Sequence, residues 1–257
     1  MMRHRGIIAA ALAGSAVAAV VAGLLLTGSG SPGPHAPPRP RPQPRALPAR
    51  RQPARFPSLT TVATLRVDAP RYAKPGGKQA GVVATSWYDR ASVLPVIATR
   101  PGWVEVRLPQ RPNGSTAWVP ASDVTLGGTP YEIVIDLKTL HLSLCDHGRL
   151  VFSAPAGVGT TDDPTPVGEF FVAFDEPPPE PGVGYGPFVL VTSAHSPAIS
   201  DWEGSGDAVI GIHGPLGMDA AIGTKGARIS HGCVRLHLSA LTRLANVPPG
   251  TPIDIIG

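Results

Sequence analysis

The segment ARISHGCVRLHLS, residues 227–239, places Cys233 between His231 and Arg235. The chain has one other cysteine, Cys145. Three chemistries are open to such a thiol: a disulfide, a metal ligand or a nucleophile. Cys145 closes the alternating run TLHLSLC (139–145), which turns it away from the face shared by Leu140, Leu142 and Leu144. Nothing local brings the two thiols together. His195, His213, His231, His237 and Cys233 include no H-E-x-x-H or C-x-x-C pattern of the kind that gathers three or four ligands on zinc. A nucleophile needs a base and an electropositive setting. His213 ends a strand-like run before Gly214 and Pro215 and is the candidate base. Gly232 permits close backbone approach, so the Gly232 and Cys233 N–H groups are candidates for an oxyanion hole. Arg235 follows Cys233 by two positions, placed to meet a substrate carboxylate or to lower the thiol pKa. His231 flanks the thiol. This third chemistry uses the most residues.

Such residues need a scaffold that joins positions twenty apart. From 128 to 257 the strand signals recur: YEIVIDL (131–137), TLHLSLC, RLVFSAP (149–155), EFFVAF (169–174), FVLVTS (188–193), AVIGIH (208–213) and PIDIIG (252–257). One short helix is expected, N-capped near Ser239 and ending before the PPG at 248–250, with Leu241 and Leu244 on its apolar side. The pattern predicts a mostly-β sandwich. Its long Pro/Gly loop, DEPPPEPGVGYGPF (175–188), is too irregular for a core and suits a cover over a site. Tyr185 in that loop is a candidate substrate contact, with packing inside the loop as the alternative.

His213-Gly214 followed by Ser230-His231-Gly232-Cys233-Val234-Arg235 resembles the active-site signature of L,D-transpeptidases with a YkuD-type catalytic domain. GVGTTDDPTPVGEFFV (157–172) is similar to that family's Thr-Pro-x-Gly turn before a strand. Many members carry Asn at the position of Arg235; Arg is an alternative there. The resemblance covers residues 128–257. It implies attack of Cys233 on the carbonyl of an L-configured centre in a peptidoglycan tetrapeptide stem, with loss of D-alanine and formation of a thioester. An amine of a second stem then resolves it to a 3→3 cross-link. It further implies that His213 is the base and that the Gly214 carbonyl orients it. Ser230 and His231 support the site, and carbapenem β-lactams acylate Cys233. Hydrolysis of the same thioester, an L,D-carboxypeptidase activity, is an alternative. A non-catalytic wall-binding module is another. No metal or organic cofactor is expected.

Upstream, WVEVRL (103–108) alternates, PNG (112–114) marks a turn and TAWVP (116–120) returns. The pattern GWVEVRL…NGSTAWVP is similar to bacterial SH3-like domains, so residues 58–127 are expected to form a small barrel. Residues 29–57 form a Pro/Arg-rich linker. Its 27 residues from Ser31 to Pro57 hold ten prolines and, at ~3.1 Å per residue in a polyproline II conformation, reach roughly 80 Å. Residues 1–28 read as an export segment. Arg3 and Arg5 precede twenty uncharged residues, Ile7–Leu26, so cleaved signal peptide and membrane anchor both remain open. Either places the remaining chain outside the cytoplasm.

The net charge of +4 does not mark a nucleic-acid binder. Residues 1–57 hold eight arginines and no acid, which leaves −4 on residues 58–257. The basicity belongs to the tail, and a folded surface for nucleic acid is excluded on that ground.

Overall fold

A computed structural model describes residues 59–257; the export segment and the Pro/Arg linker lie outside the described residues. The described chain is mostly β, with a single four-residue α-helix, Leu238–Leu241. Among the described residues no helix is long and apolar enough to cross a membrane.

The first sheet is antiparallel and has seven strands, in the order Gln79–Val83, Ala69–Tyr72, Thr116–Pro120, Trp103–Arg107, Val93–Arg100, Thr60–Leu65 and Val124–Thr129. The alternation in WVEVRL is used as a half-buried strand requires: Val104, Val106 and Leu108 are buried. Trp118 is core, while Trp103 is half-buried with its ring edge-on to Tyr72, centroids 5.1 Å apart. A small hairpin, Ser86–Trp87 with Arg90–Ala91, extends from this sheet, and its Trp87 ring meets Phe174 at 5.8 Å. Arg107 pairs with Glu169, and the Thr129 and Thr251 hydroxyls hydrogen-bond at 3.1 Å, so the first sheet packs on the second.

The second sheet has eight strands, in the order Arg149–Pro155, His141–Asp146, Tyr131–Asp136, Pro252–Ile256, Gly168–Glu176, Val189–His195, Val209–His213 and Val234–Arg235. Gly168–Glu176 serves both halves. Residues 168–171 pair with Pro252–Ile255, residues 172–176 pair with Val189–Thr192, and an irregularity falls between Val172 and Phe174. Such an irregularity bends a strand. The halves share one core, in which Ile133, Leu142, Leu190, Ile212, Leu236 and Ile253 are almost fully buried. Leu241 and Leu244 from the helical segment are fully buried in it as well.

Two expectations shift. Ser239 lies inside the helix instead of capping it. The helix starts at Leu238, and the His237 carbonyl accepts the Ala240 and Leu241 N–H groups at 2.9 Å. Leu140 shares the core with Leu142 and Leu144, but it occupies a turn with φ of 55° and the strand begins only at His141.

Candidate active site

The strands Val209–His213 and Val234–Arg235 run parallel, with Ile212 opposite Val234 and His213 opposite Arg235. This pairing delivers Cys233 beside Gly211, two residues before His213 on the neighbouring strand. A pocket there is lined by Cys233, His213, Ser230, His231 and Arg235, and further by Trp202, Leu216 and Ser196. The Arg235 backbone is fixed from its other side, where it exchanges hydrogen bonds of 2.7 and 2.8 Å with Gly157. A Cβ at 157 would lie 2.5 Å from Ile229 Cδ1, so any side chain there would have to displace Ile229.

The turn before Cys233 is tightly bonded. Gly232 has φ of +116°, and a Cβ on it would lie 2.7 Å from Ile210. Ser230 Oγ donates to the Cys233 carbonyl at 2.5 Å and accepts the Gly232 N–H at 3.2 Å. The Gly232 N–H, expected as an oxyanion donor, is therefore engaged inside the turn. Thr165, from the Thr-Pro-x-Gly turn, donates to the Gly232 carbonyl at 2.7 Å and accepts the Gly159 N–H at 2.9 Å.

Cys233 is half-buried and, like Cys145, is a free thiol. The Gly211 N–H points at its sulfur at 3.3 Å. Burial pushes the Cys233 thiol above its ordinary pKa, while the Gly211 N–H and the Arg235 charge pull it down. His213 is buried, and its Nδ1 is 2.8 Å from the Gly214 carbonyl. An N–H at Nδ1 donates to that carbonyl and leaves Nε2 as the basic nitrogen. Burial, aided by Arg235, lowers the His213 pKa to about 4 against the opposing Gly214 bond. Both shifts favour a neutral thiol and a neutral imidazole over a resting ion pair. Arg235 is itself held below its ordinary pKa by burial, opposed by Cys233 and Tyr185, and its Nε is buried without a hydrogen-bond partner.

The remaining candidates divide. His231 is exposed on one side, with its ring 5.3 Å from Trp202 and its Nε2 3.7 Å from Asp163. Tyr185 is 3% exposed, and its ring packs 5.0 Å from His213. Burial pushes its phenol up to about 12, with the nearby Cys233 adding to the rise. The Tyr185 carbonyl accepts the Gly214 N–H at 2.6 Å and the Gly184 carbonyl accepts the Leu216 N–H at 3.1 Å. The Pro/Gly loop is thus fastened over His213, and Tyr185 packs as part of that cover. A Cβ on Gly214 would lie 2.5 Å from the Gly184 carbonyl, so the contact depends on glycine. Cys145 lies opposite Glu132 across two strands, and burial with Glu132 beside it pushes its thiol up to about 12.

Sequence reasoning missed Gly211, Thr165, Asp163 and Trp202. The first three sit in quoted motifs, but a backbone N–H aimed at sulfur and a hydroxyl bridging a turn and a strand have no sequence signal. Trp202 lies in a segment without periodicity.

Residues 130–255 match the family model of YkuD, the L,D-transpeptidase catalytic domain. Over 127 residues the chain is 32% identical to YkuD of Bacillus licheniformis, a match covering 49% of this chain and 66% of that relative. YkuD of Bacillus subtilis is 33% identical over 129 residues, with the same coverages of 49% and 66%. The chain thus spans just under two thirds of the curated relatives it matches. Among solved structures, that of L,D-transpeptidase 3 from Mycobacterium tuberculosis in complex with a faropenem-derived adduct matches with a TM-score of 0.41. It is 16% identical, and the match covers 58% of this chain and 76% of that one. Residues 130–255 thus carry the likeness to the YkuD L,D-transpeptidase catalytic domain, in the family model and in both curated relatives alike.

Proposed function

We propose that the protein forms 3→3 peptidoglycan cross-links through a thioester on Cys233. The observation that carries this reading is the parallel pairing of Val209–His213 with Val234–Arg235, which sets Cys233 and His213 in one pocket. Because thiol and imidazole rest neutral, the proton passes to His213 as sulfur attacks the donor carbonyl. The oxyanion is assigned to the Cys233 N–H. D-alanine leaves with the proton returned by His213. The acceptor amine then adds to the thioester, passes a proton to His213, and the thiol is restored. Arg235 is assigned to a carboxylate of the donor stem, which its unpartnered buried Nε supports.

The site would act outside the cytoplasm, delivered by residues 1–28 and held off the membrane by the 29–57 linker if the segment stays in place. The uncharged run Ile7–Leu26 behind Arg3 and Arg5 supports export. Residues 58–127 would be the SH3-like module ahead of the catalytic domain.

Intact-protein mass spectrometry with a carbapenem tests the reading. One adduct per chain is expected on the wild type and none on Cys233→Ala. An unmodified, reduced and folded wild type would sink it. With an adduct in hand, incubation with tetrapeptide stems separates dimeric cross-linked product from the tripeptide that hydrolysis would release.

A further inference from the structure

Asn113 of the PNG turn, singled out in the sequence as a hairpin marker, reaches well beyond its own sheet with its neighbour Arg111. Arg111 donates from Nε to Asp207 Oδ1 at 2.9 Å, from Nη1 to the Ser196 carbonyl at 2.7 Å and from Nη2 to the Ile199 carbonyl at 2.9 Å. Asn113 donates to the His195 carbonyl at 2.8 Å and accepts the His195 N–H at 3.0 Å. Asp207 also lies 2.8 Å from His195 Nδ1 through its second oxygen. Burial opposes its ionisation, but the contacts from His195, the Ala208 N–H and Arg111 outweigh that and hold its carboxyl below the usual range.

All these acceptors bracket one loop, residues 196–208, between the strands Val189–His195 and Val209–His213. Ser196, Trp202 and Ala208 of this loop line the Cys233 pocket. The Trp202 ring lies tilted at 55° against His231, its backbone N–H donates to the Asp207 carbonyl at 2.9 Å, and its indole Nε1 is buried without a partner. Residues 197–207 contribute no buried side chain of their own. With only Ile199 and Trp202 half-buried among their apolar side chains, these residues bury little apolar surface, and such a segment opens at low cost. Its placement depends on polar ties at its two ends, and Arg111 spans both.

We infer that Arg111, with Asn113, is a positioning residue through which the first sheet sets the wall of the Cys233 pocket and so controls binding of the acyl donor. Cys233, His213 and Arg235 sit on other elements, so the chemical step does not depend on the clamp. The inference rests on the transpeptidase reading above for its kinetic consequence, but the tie itself can be tested without it.

The full chain is compared as wild type, Arg111→Ala, Arg111→Lys, Asn113→Ala and, as a control, Val106→Ala in the core of the first sheet. Carbapenem acylation is resolved into initial binding and limiting rate. Arg111→Ala weakens initial binding about tenfold, as for coupling from a remote contact, and leaves the limiting rate within about twofold. Arg111→Lys recovers part of the loss, because one ammonium cannot span three acceptors in a fork. Val106→Ala lowers Tm but leaves binding intact. Hydrogen exchange of amides 196–208 rises in Arg111→Ala. Unchanged binding in folded Arg111 variants, an equal binding loss in Val106→Ala, or unchanged exchange at 196–208 would overturn the inference. Should Arg111→Ala not fold, Arg111→Lys and Asn113→Ala are read by the same criteria. A wild type that never acylates would instead defeat the transpeptidase reading, while the exchange experiment still decides the clamp.

Discussion

His213 and Arg235 are register partners in the parallel pair at the end of the second sheet, so a fixed cation stands beside a buried imidazole. The same cation acts on the Cys233 sulfur. It favours loss of the proton from the thiol, which eases its release from Cys233, and disfavours a proton on His213, which opposes uptake there, so the cation's two effects on the transfer pull in opposite directions.

Arg235→Gln removes that field. The thiol pKa rises, and the rate of iodoacetamide alkylation of Cys233 moves to higher pH. Carbapenem acylation near neutral pH slows by about tenfold, the effect of roughly one pKa unit. Arg235→Lys keeps the charge and retains much of the alkylation profile while losing the planar fork. An alkylation profile unmoved in Arg235→Gln would show that the guanidinium does not act on the sulfur.

The buried imidazole also ties stability to pH. Burial holds the His213 pKa down to about 4, against an ordinary value of 6.5. Between these values the unfolded chain binds the extra proton, so stability is fully present above about pH 6.5 and falls as the pH drops toward 4. The loss attributable to this group approaches about 3 kcal/mol. Other groups titrate in the same window, so the measurement is the difference between wild type and His213→Asn in urea unfolding at pH 7, 5.5 and 4.5. The wild type should show the steeper decline. Parallel curves would mean that His213 is not held neutral.

Where one face of a strand is buried, the sequence already shows it. Ile133 and Ile135, Leu142 and Leu144, and Val104 and Val106 alternate, and all are buried. Strands without a hydrophobic signature were illegible. Val124–Thr129 buries only its two end residues, and Gln79–Val83 only its last, so pairing and not composition makes them strands. The pairing of His213 with Arg235 joins residues 22 apart, which no local pattern encodes. Cys233 and His213 were legible because their residue types limit the chemistry. Tyr185 was ambiguous because an aromatic ring in a glycine-rich loop serves packing and binding equally, and the structure packs it on His213. Gly232 was legible as a glycine position. The competition of Ser230 Oγ for its N–H was not, since that bond depends on the turn's shape.

Thr165 offers the sharpest test of how that turn is held. Its hydroxyl is buried, 3% exposed, and bridges two backbone groups, the Gly232 carbonyl and the Gly159 N–H. Thr165→Val keeps the shape and removes the bridge. Both backbone groups then lose a partner in a dry site, at a cost of roughly 1–3 kcal/mol. The Gly232 peptide, which leads directly into Cys233, is also released. Acylation should fall further than stability explains, because a misplacement on the order of 1 Å at a reacting group costs up to about 100-fold in rate. Thr165→Ser restores the hydroxyl and should recover both properties. The check is the Tm and the acylation rate of the three proteins side by side. If Thr165→Val lowers Tm but acylates at the wild-type rate, the bridge stabilises the fold without positioning the nucleophile.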